Sequence, residues 1–135
     1  MNSNDYRTLA EFRYQIRKFL AFSEAAAREH GLNGQQHQIL LALKGLPRGT
    51  TPTIGFLAER LRLRHHTTVE LVDRLCDRGY IKRETGKTDR REVHPRITAR
   101  GESLLRRLTT IHRRELKTAG PILLATLRTL THAKK

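Results

Sequence analysis

The sequence predicts a mainly α protein with a small β wing, on three observations. Apolar residues recur every three or four positions along most of the 135-residue chain, the spacing that lines one face of a helix. That period gives way to short alternating runs only between residues 80 and 97. Glycine, proline and capping residues stand at the joints between these stretches. A chain of this length suits one domain. Residues 1–135 are therefore expected to form a single unit, with a central lobe at 33–98 and end helices at 6–30 and 99–132.

Residues 6 to 29 read as the first helix, with Leu9, Phe12, Ile16, Phe19 and Leu20 on one face. Arg7, Arg13, Arg17 and Lys18 lie mostly on the other side. Gly31 should end it, since glycine accepts the left-handed conformation of a helix C-terminus. Asn33 then caps a second helix, with Gln36 completing a capping box and Ile39, Leu40 and Leu43 turned inward. Breakers at 47–52 mark a loop. Thr53 caps a short third helix carrying Ile54, Leu57, Ala58 and Leu61, and Arg62-Leu63-Arg64 makes a tight turn. A fourth helix follows with Leu71, Val72 and Leu75 inside, ended by Gly79. Residues 80–84 and 92–97 alternate as two strands around a basic loop at 85–91, a hairpin signature. Pro95 cannot donate to a ladder and is expected on an exposed edge. Thr98 caps a helix over 99–117 with Leu104, Leu105, Leu108 and Ile111 inward. Gly120-Pro121 should break it, leaving a last helix over 122–130 that presents Leu123, Leu127 and Leu130.

Lys and Arg number 27 against 13 Asp and Glu, a formal charge of +14. An excess of this size seeks counter-charge, and nucleic acid or an anionic membrane surface are the usual sinks. The longest apolar tracts, such as Ile122-Leu123-Leu124-Ala125, fall far below the roughly 20 residues that span a bilayer, so no membrane partner is expected. Cys76 is the one cysteine, which excludes a disulfide framework and suits a reducing compartment. The first residues lack a signal peptide's basic start and apolar run, so a cytoplasmic location is expected. The chain carries no nucleophile elbow, phosphate loop, HExxH or CxxC, so neither catalysis nor a cofactor is expected. The seven histidines show no ligand spacing with cysteine, and no metal is expected.

Two short helices joined by a tight turn and followed by a basic hairpin form the outline of a winged helix-turn-helix, in which the second helix enters the major groove of duplex DNA. At about 100° per residue, Thr68, Leu71, Val72 and Leu75 share the inner face of the helix from His65 to Arg78. His65, His66, Thr67 and Glu70 form its outer edge near the N-terminus, where they can meet base edges. Arg64 and Arg74 add positive charge on either side. An exposed polar helix alone is common, and His65-His66 could instead cap or pack. The hairpin tip carries more weight. Lys87, Arg90 and Arg91 occur where little apolar packing exists, and an arginine there can enter a narrow minor groove.

These residues carry a resemblance. Phe56-Leu57-Ala58-Glu59-Arg60-Leu61, Val69-Glu70-Leu71-Val72-Asp73-Arg74-Leu75, Arg78-Gly79-Tyr80-Ile81-Lys82-Arg83, Asp89-Arg90-Arg91 and Ile97-Thr98-Ala99-Arg100-Gly101 together resemble the MarR family of bacterial regulators. The resemblance runs from about Phe12 to Leu130. It implies obligate homodimers that bind pseudo-palindromic DNA, usually as repressors, and that often release it when a small anionic or aromatic effector binds. It puts DNA contacts at Arg64, His65, His66, Thr67, Glu70, Arg74, Lys87, Arg90 and Arg91, with Asp73 and Asp89 orienting the wing arginines. Leu9, Phe12, Ile16, Ile122, Leu123 and Leu127 lie on end helices without an obvious partner inside one subunit and are expected to form the dimer. By analogy with the family alone, Arg13, Arg17 and His37 are assigned to an effector pocket. Family wings often carry a proline where this chain has Lys87, which makes this tip more basic. The family's peroxide sensors use a first-helix cysteine; Cys76, at the end of the fourth helix, is expected to be a small buried side chain. Two other readings stay open, a chromatin-like binder indifferent to sequence and a ligand-sensing dimer that has lost DNA binding.

Overall fold

The computed structural model describes residues 1–132. In chain order the elements are α1 (Ser3–Glu29), α2 (Gly34–Lys44), α3 (Ile54–Leu61), α4 (His65–Asp77), β1 (Ile81–Thr85), β2 (Val93–Ile97) and α5 (Ala99–Thr131). The two strands pair antiparallel, with Ile81 opposite Ile97 and Thr85 opposite Val93. Mainly α with a small β wing is thus the observed fold class. The chain divides into two compact units, one of residues 27–107 and one of 1–26 together with 108 onward.

The unit of 27–107 is built on the helix ends that the sequence marks. Asn33 caps α2 by accepting from the Gln36 amide at 2.7 Å, while the Gln36 side chain accepts from the Asn33 amide at 2.9 Å. Gly31, at φ +81°, closes α1, with the Leu32 amide donating back to the Ala27 carbonyl at 2.9 Å. Ile39, Leu40, Leu43, Leu57, Leu71, Val72 and Leu75 are buried around one core, each contributing about 1.5–3 kcal/mol relative to exposure. Tyr80 just before β1, Ile81 of β1, and Leu104 and Leu105 of α5 are buried with them.

The junction of β2 with α5 explains the run from Ile97 to Gly101. The Thr98 hydroxyl accepts from the Gly101 amide at 3.1 Å and donates to the Gly79 carbonyl at 2.6 Å. The Thr98 amide donates to the Tyr80 carbonyl at 3.0 Å. One side chain therefore caps α5 and ties it to the end of α4. Gly101 lies directly under the Tyr80 carbonyl oxygen, so that no Cβ fits there.

In the other unit, His112 of α5 bridges to α1. Its Nε2 lies 2.7 Å from the Ser23 hydroxyl, and the Phe19 and Phe22 rings meet it edge-on at 5.9 and 5.6 Å. Gln15, Ser23 and Ala26 are buried here with Leu108.

Three expectations need correction. The first helix starts at Ser3 and not at 6, because Asn2 and Asp5 form a reciprocal cap, their amides donating to each other's side chains at 2.9 and 3.0 Å. Gly120-Pro121 does not break the last helix, and α5 runs unbroken from Ala99 to Thr131. The proline ring fixes φ near the helical value, but it removes the donor to the Lys117 carbonyl and crowds that carbonyl. The usual clash of a proline with the preceding Cβ is absent because that residue is glycine. Pro95 lies on an edge strand as expected, yet it is buried and not exposed. It faces Leu43, Leu46 and Ile97 around a hollow of about 200 Å³ under α2, and edge position alone does not fix exposure when a helix covers the edge. Among the described residues, no helix is long and apolar enough to cross a membrane.

Candidate nucleic-acid interface

The presentation of α4 begins one helix earlier. The Thr53 hydroxyl accepts from the Phe56 amide at 3.0 Å and starts α3. At the other end the Leu63 amide donates to the Ala58 carbonyl at 2.8 Å, and Arg62 turns the chain in the left-handed conformation at φ 58°. α4 starts at His65, with Arg64 in the cap position and no side chain capping it. Thr68 is fully buried, and its hydroxyl donates back to the Arg64 carbonyl at 2.9 Å. Thr68, Leu71, Val72 and Leu75 anchor the inner face. That anchoring leaves Arg64, His65, His66, Glu70 and Arg74 exposed, with Thr67 half-buried beside them. His65 and His66 neither cap the helix nor enter the core.

The wing is organised by short-range bonds across its tip. The Gly86 amide donates to the Glu92 carbonyl at 2.9 Å and closes the loop. The Glu92 amide donates to the Asp89 carbonyl at 3.1 Å. The Asp89 carboxylate accepts from Arg91 three times: from its amide at 3.0 Å, its Nε at 3.1 Å and its Nη2 at 3.3 Å. These bonds from the Arg91 side chain and then its amide hold the Asp89 carboxyl below its ordinary value. Lys87, Arg90 and Arg91 are all exposed, and Arg90 meets no carboxylate or acceptor among the described residues. The tip thus presents one braced guanidinium and two free cations. Beneath it His94 is buried with its Nε2 3.3 Å from Glu92 Oε1, and a Cβ at Gly86 would crowd the His94 ring at 3.2 Å.

Of the two carboxylates expected to orient the tip arginines, Asp89 holds Arg91. Asp73 instead pairs with Arg83 on β1 and not with Arg90 or Arg91, because α4 packs along β1 and the strand's cation lies nearer than the loop's. Arg83 therefore couples α4 to the wing. Strand alternation could have found it, since Arg83 is two residues from buried Ile81 and so shares its face. Two further exposed cations, Arg60 and Arg62, flank the turn before α4. Cys76 is half-buried, a looser site than expected, and burial pushes its thiol up.

The residues expected elsewhere fall as follows. Leu9, Ile122 and Leu127 are 46%, 43% and 44% exposed in the unit formed by α1 and the later part of α5, so these large side chains find no full cover among the described residues. Phe12, Ile16 and Leu123 are half-buried there. Arg13 and Arg17 are exposed on α1, and His37 is buried on α2.

A family model described as the MarR family matches residues 30–92, which span α2 through the wing tip. Comparison with curated proteins found no match. Among solved structures, AbsC, a MarR family transcriptional regulator from Streptomyces coelicolor, superposes with a TM-score of 0.76 at 17% identity, over 98% of this chain and 92% of its own. A variant of MepR from Staphylococcus aureus, bound to an oligodeoxyribonucleotide, gives 0.68 at 19% identity, over 87% and 82%. CouR from Rhodococcus jostii, bound to p-coumaroyl-CoA, gives 0.64 at 20% identity, over 87% of each chain. Residues 30–92 thus match the MarR family model, and the chain shares along its length the fold of solved MarR family structures.

Proposed function

We propose that this chain is a transcriptional regulator, a homodimeric repressor that reads a pseudo-palindromic operator. The outer face of α4 (Arg64, His65, His66, Thr67, Glu70 and Arg74) enters the major groove, and Lys87, Arg90 and Arg91 of the wing enter the flanking minor groove. The observation that carries this reading is the wing tip, where Asp89 braces Arg91 at 3.1 Å while Lys87 and Arg90 stay exposed. A braced guanidinium keeps its fixed fork for phosphate or base edges and loses less freedom on binding. His, Thr and Glu on the α4 face are base-reading types. Glu70 in particular would repel phosphate, so this face gains nothing from charge alone. The bound oligodeoxyribonucleotide of MepR supports the class of partner.

Dimerisation is assigned to Leu9, Phe12, Ile16, Ile122, Leu123 and Leu127, on the exposure left to them within one chain. A monomer mass by light scattering at micromolar concentration would overturn it. An anionic or aromatic effector is assigned to this protein on the exposed cations Arg13 and Arg17 of α1 and on the acyl-CoA ligand of CouR. Release of bound DNA by an aromatic carboxylate, lost in Arg13→Ala with Arg17→Ala, is the expected result.

The net charge of +14 favours one rival, binding without regard to sequence. Affinities for the chain's own promoter and for random duplex, measured across a salt series, separate the two. The repressor reading expects the promoter to bind about 10³-fold tighter or more. Equal affinities would leave only the sequence-indifferent binder.

A further inference from the structure

The turn between α3 and α4 holds the described residues' one non-glycine with positive φ, Arg62 at φ 58°. An L-residue there is strained, because its Cβ crowds the following carbonyl, and glycine would adopt the same turn without that cost. The backbone offsets part of that cost, since the Arg62 and Leu63 amides close α3 onto the Glu59 and Ala58 carbonyls at 3.1 and 2.8 Å. Glycine would keep both bonds, so the arginine side chain is not needed for the turn. The guanidinium of Arg62 meets no acceptor, carboxylate or ring among the described residues, and the side chain is exposed. Strained residues of this kind gather at binding sites, where the side chain serves a ligand.

The surroundings say which ligand. Phe56, Glu59, Arg60 and Arg62 line a shallow cavity of about 360 Å³ on the outer side of α3. Arg60 is held over the Phe56 ring at 5.1 Å, while the Arg62 guanidinium is exposed beside it. Two guanidiniums against one Glu59 carboxylate leave the hollow net positive. It lies two residues before Arg64, the cap of the reading helix. We infer that Arg62, with Arg60 beside it, binds a backbone phosphate of the DNA at this hollow. The contact adds affinity and fixes register without reading sequence. This rests on the DNA-binding reading above and adds a contact to it.

The variant Arg62→Gly separates the folding role from the binding role because their signs differ. Relief of the left-handed strain should raise the melting temperature by roughly 2–4 °C. Loss of one phosphate contact should make the slope of log K against log salt less negative by about 0.9, which is roughly eightfold in affinity at about 0.1 M salt. Promoter and random duplex should weaken by the same factor, and Arg62→Lys should retain the slope of the parent chain. An unchanged slope in Arg62→Gly, with the parent chain still binding DNA, would overturn this contact alone. A parent chain that does not bind DNA would overturn the larger reading as well. Titration with inorganic phosphate distinguishes the source of the anion. Stabilisation of the parent chain by millimolar phosphate, absent in Arg62→Gly and accompanied by an unchanged DNA slope, would make the hollow a free-anion site and sink the inference.

Discussion

At the scale of single residues, the joint around Gly101 has the least tolerance. Its missing side chain lets α5 begin directly beneath the Tyr80 carbonyl, whose oxygen also accepts from the Thr98 amide at 3.0 Å. Gly101→Ala should therefore cost about 2 kcal/mol through forced backbone movement, seen as a melting temperature lower by several degrees. An unchanged melting temperature would mean that the joint is soft. Asp89 sets the wing tip in a different way. Its carboxyl is held below the ordinary value by bonds from the Arg91 side chain and amide, so the brace is fully present above the unfolded value. It is lost only as pH falls through the lower folded one. The brace is thus intact across neutral pH, and an NMR titration of the Asp89 carboxyl carbon should give a midpoint below that of an unstructured peptide. Asp89→Asn removes the charge and should weaken operator binding, though less than Arg91→Ala does. Equal binding by Asp89→Asn and the parent chain would exclude the brace from DNA recognition.

At the scale of elements, Pro121 offers the clearest test. It sits exposed inside α5, where its ring denies the Lys117 carbonyl its donor. Pro121→Ala restores that bond without removing buried area, and should stabilise by about 1–3 kcal/mol. Thermal unfolding followed by helix ellipticity measures it. A loss of stability would mean that the proline shapes the helix for a partner. The same helix marks where the sequence was hard to read. Gly120-Pro121 has the signature of a break, yet the absence of a Cβ before the proline removes one of the clashes that would end the helix. Local breakers are read one residue at a time, whereas continuity depends on the pair. Caps were legible, because Asn33 with Gln36, Thr53 and Thr98 each act on an amide three residues away. The wing was legible as a hairpin with a basic tip. The partner of Asp73 and the cover over Pro95 were not, since both depend on which helix packs against which strand. Arg62 is exposed and ordinary as a letter, and only its φ distinguishes it.

At the scale of the whole molecule, charge and apolar area pull in opposite directions. The 17 Lys and Arg in residues 27–107 face 9 Asp and Glu, and the remaining residues carry 10 against 4, so both units are basic. Positive charge therefore does not mark the DNA face by itself, and it also opposes association of two copies. A homodimer would bring two chains of +14 together, and its stability must come from apolar side chains such as Leu9, Ile122 and Leu127, each more than 40% exposed in one chain. Salt acts on the two equilibria with opposite sign. It screens the repulsion between protomers, over about 10 Å at 0.1 M and about 3 Å at 1 M, and it removes the gain from releasing counterions at DNA. Sedimentation equilibrium from 0.05 to about 0.5 M salt should show tighter self-association as salt rises, while DNA affinity measured in the same buffers falls. Leu127→Glu should shift the first equilibrium toward monomer at every salt concentration, because it places a charge in the apolar contact. If both equilibria weaken together as salt rises, ion pairs and not leucines hold the protomers, and the assignment of α1 and α5 as an apolar dimer face fails.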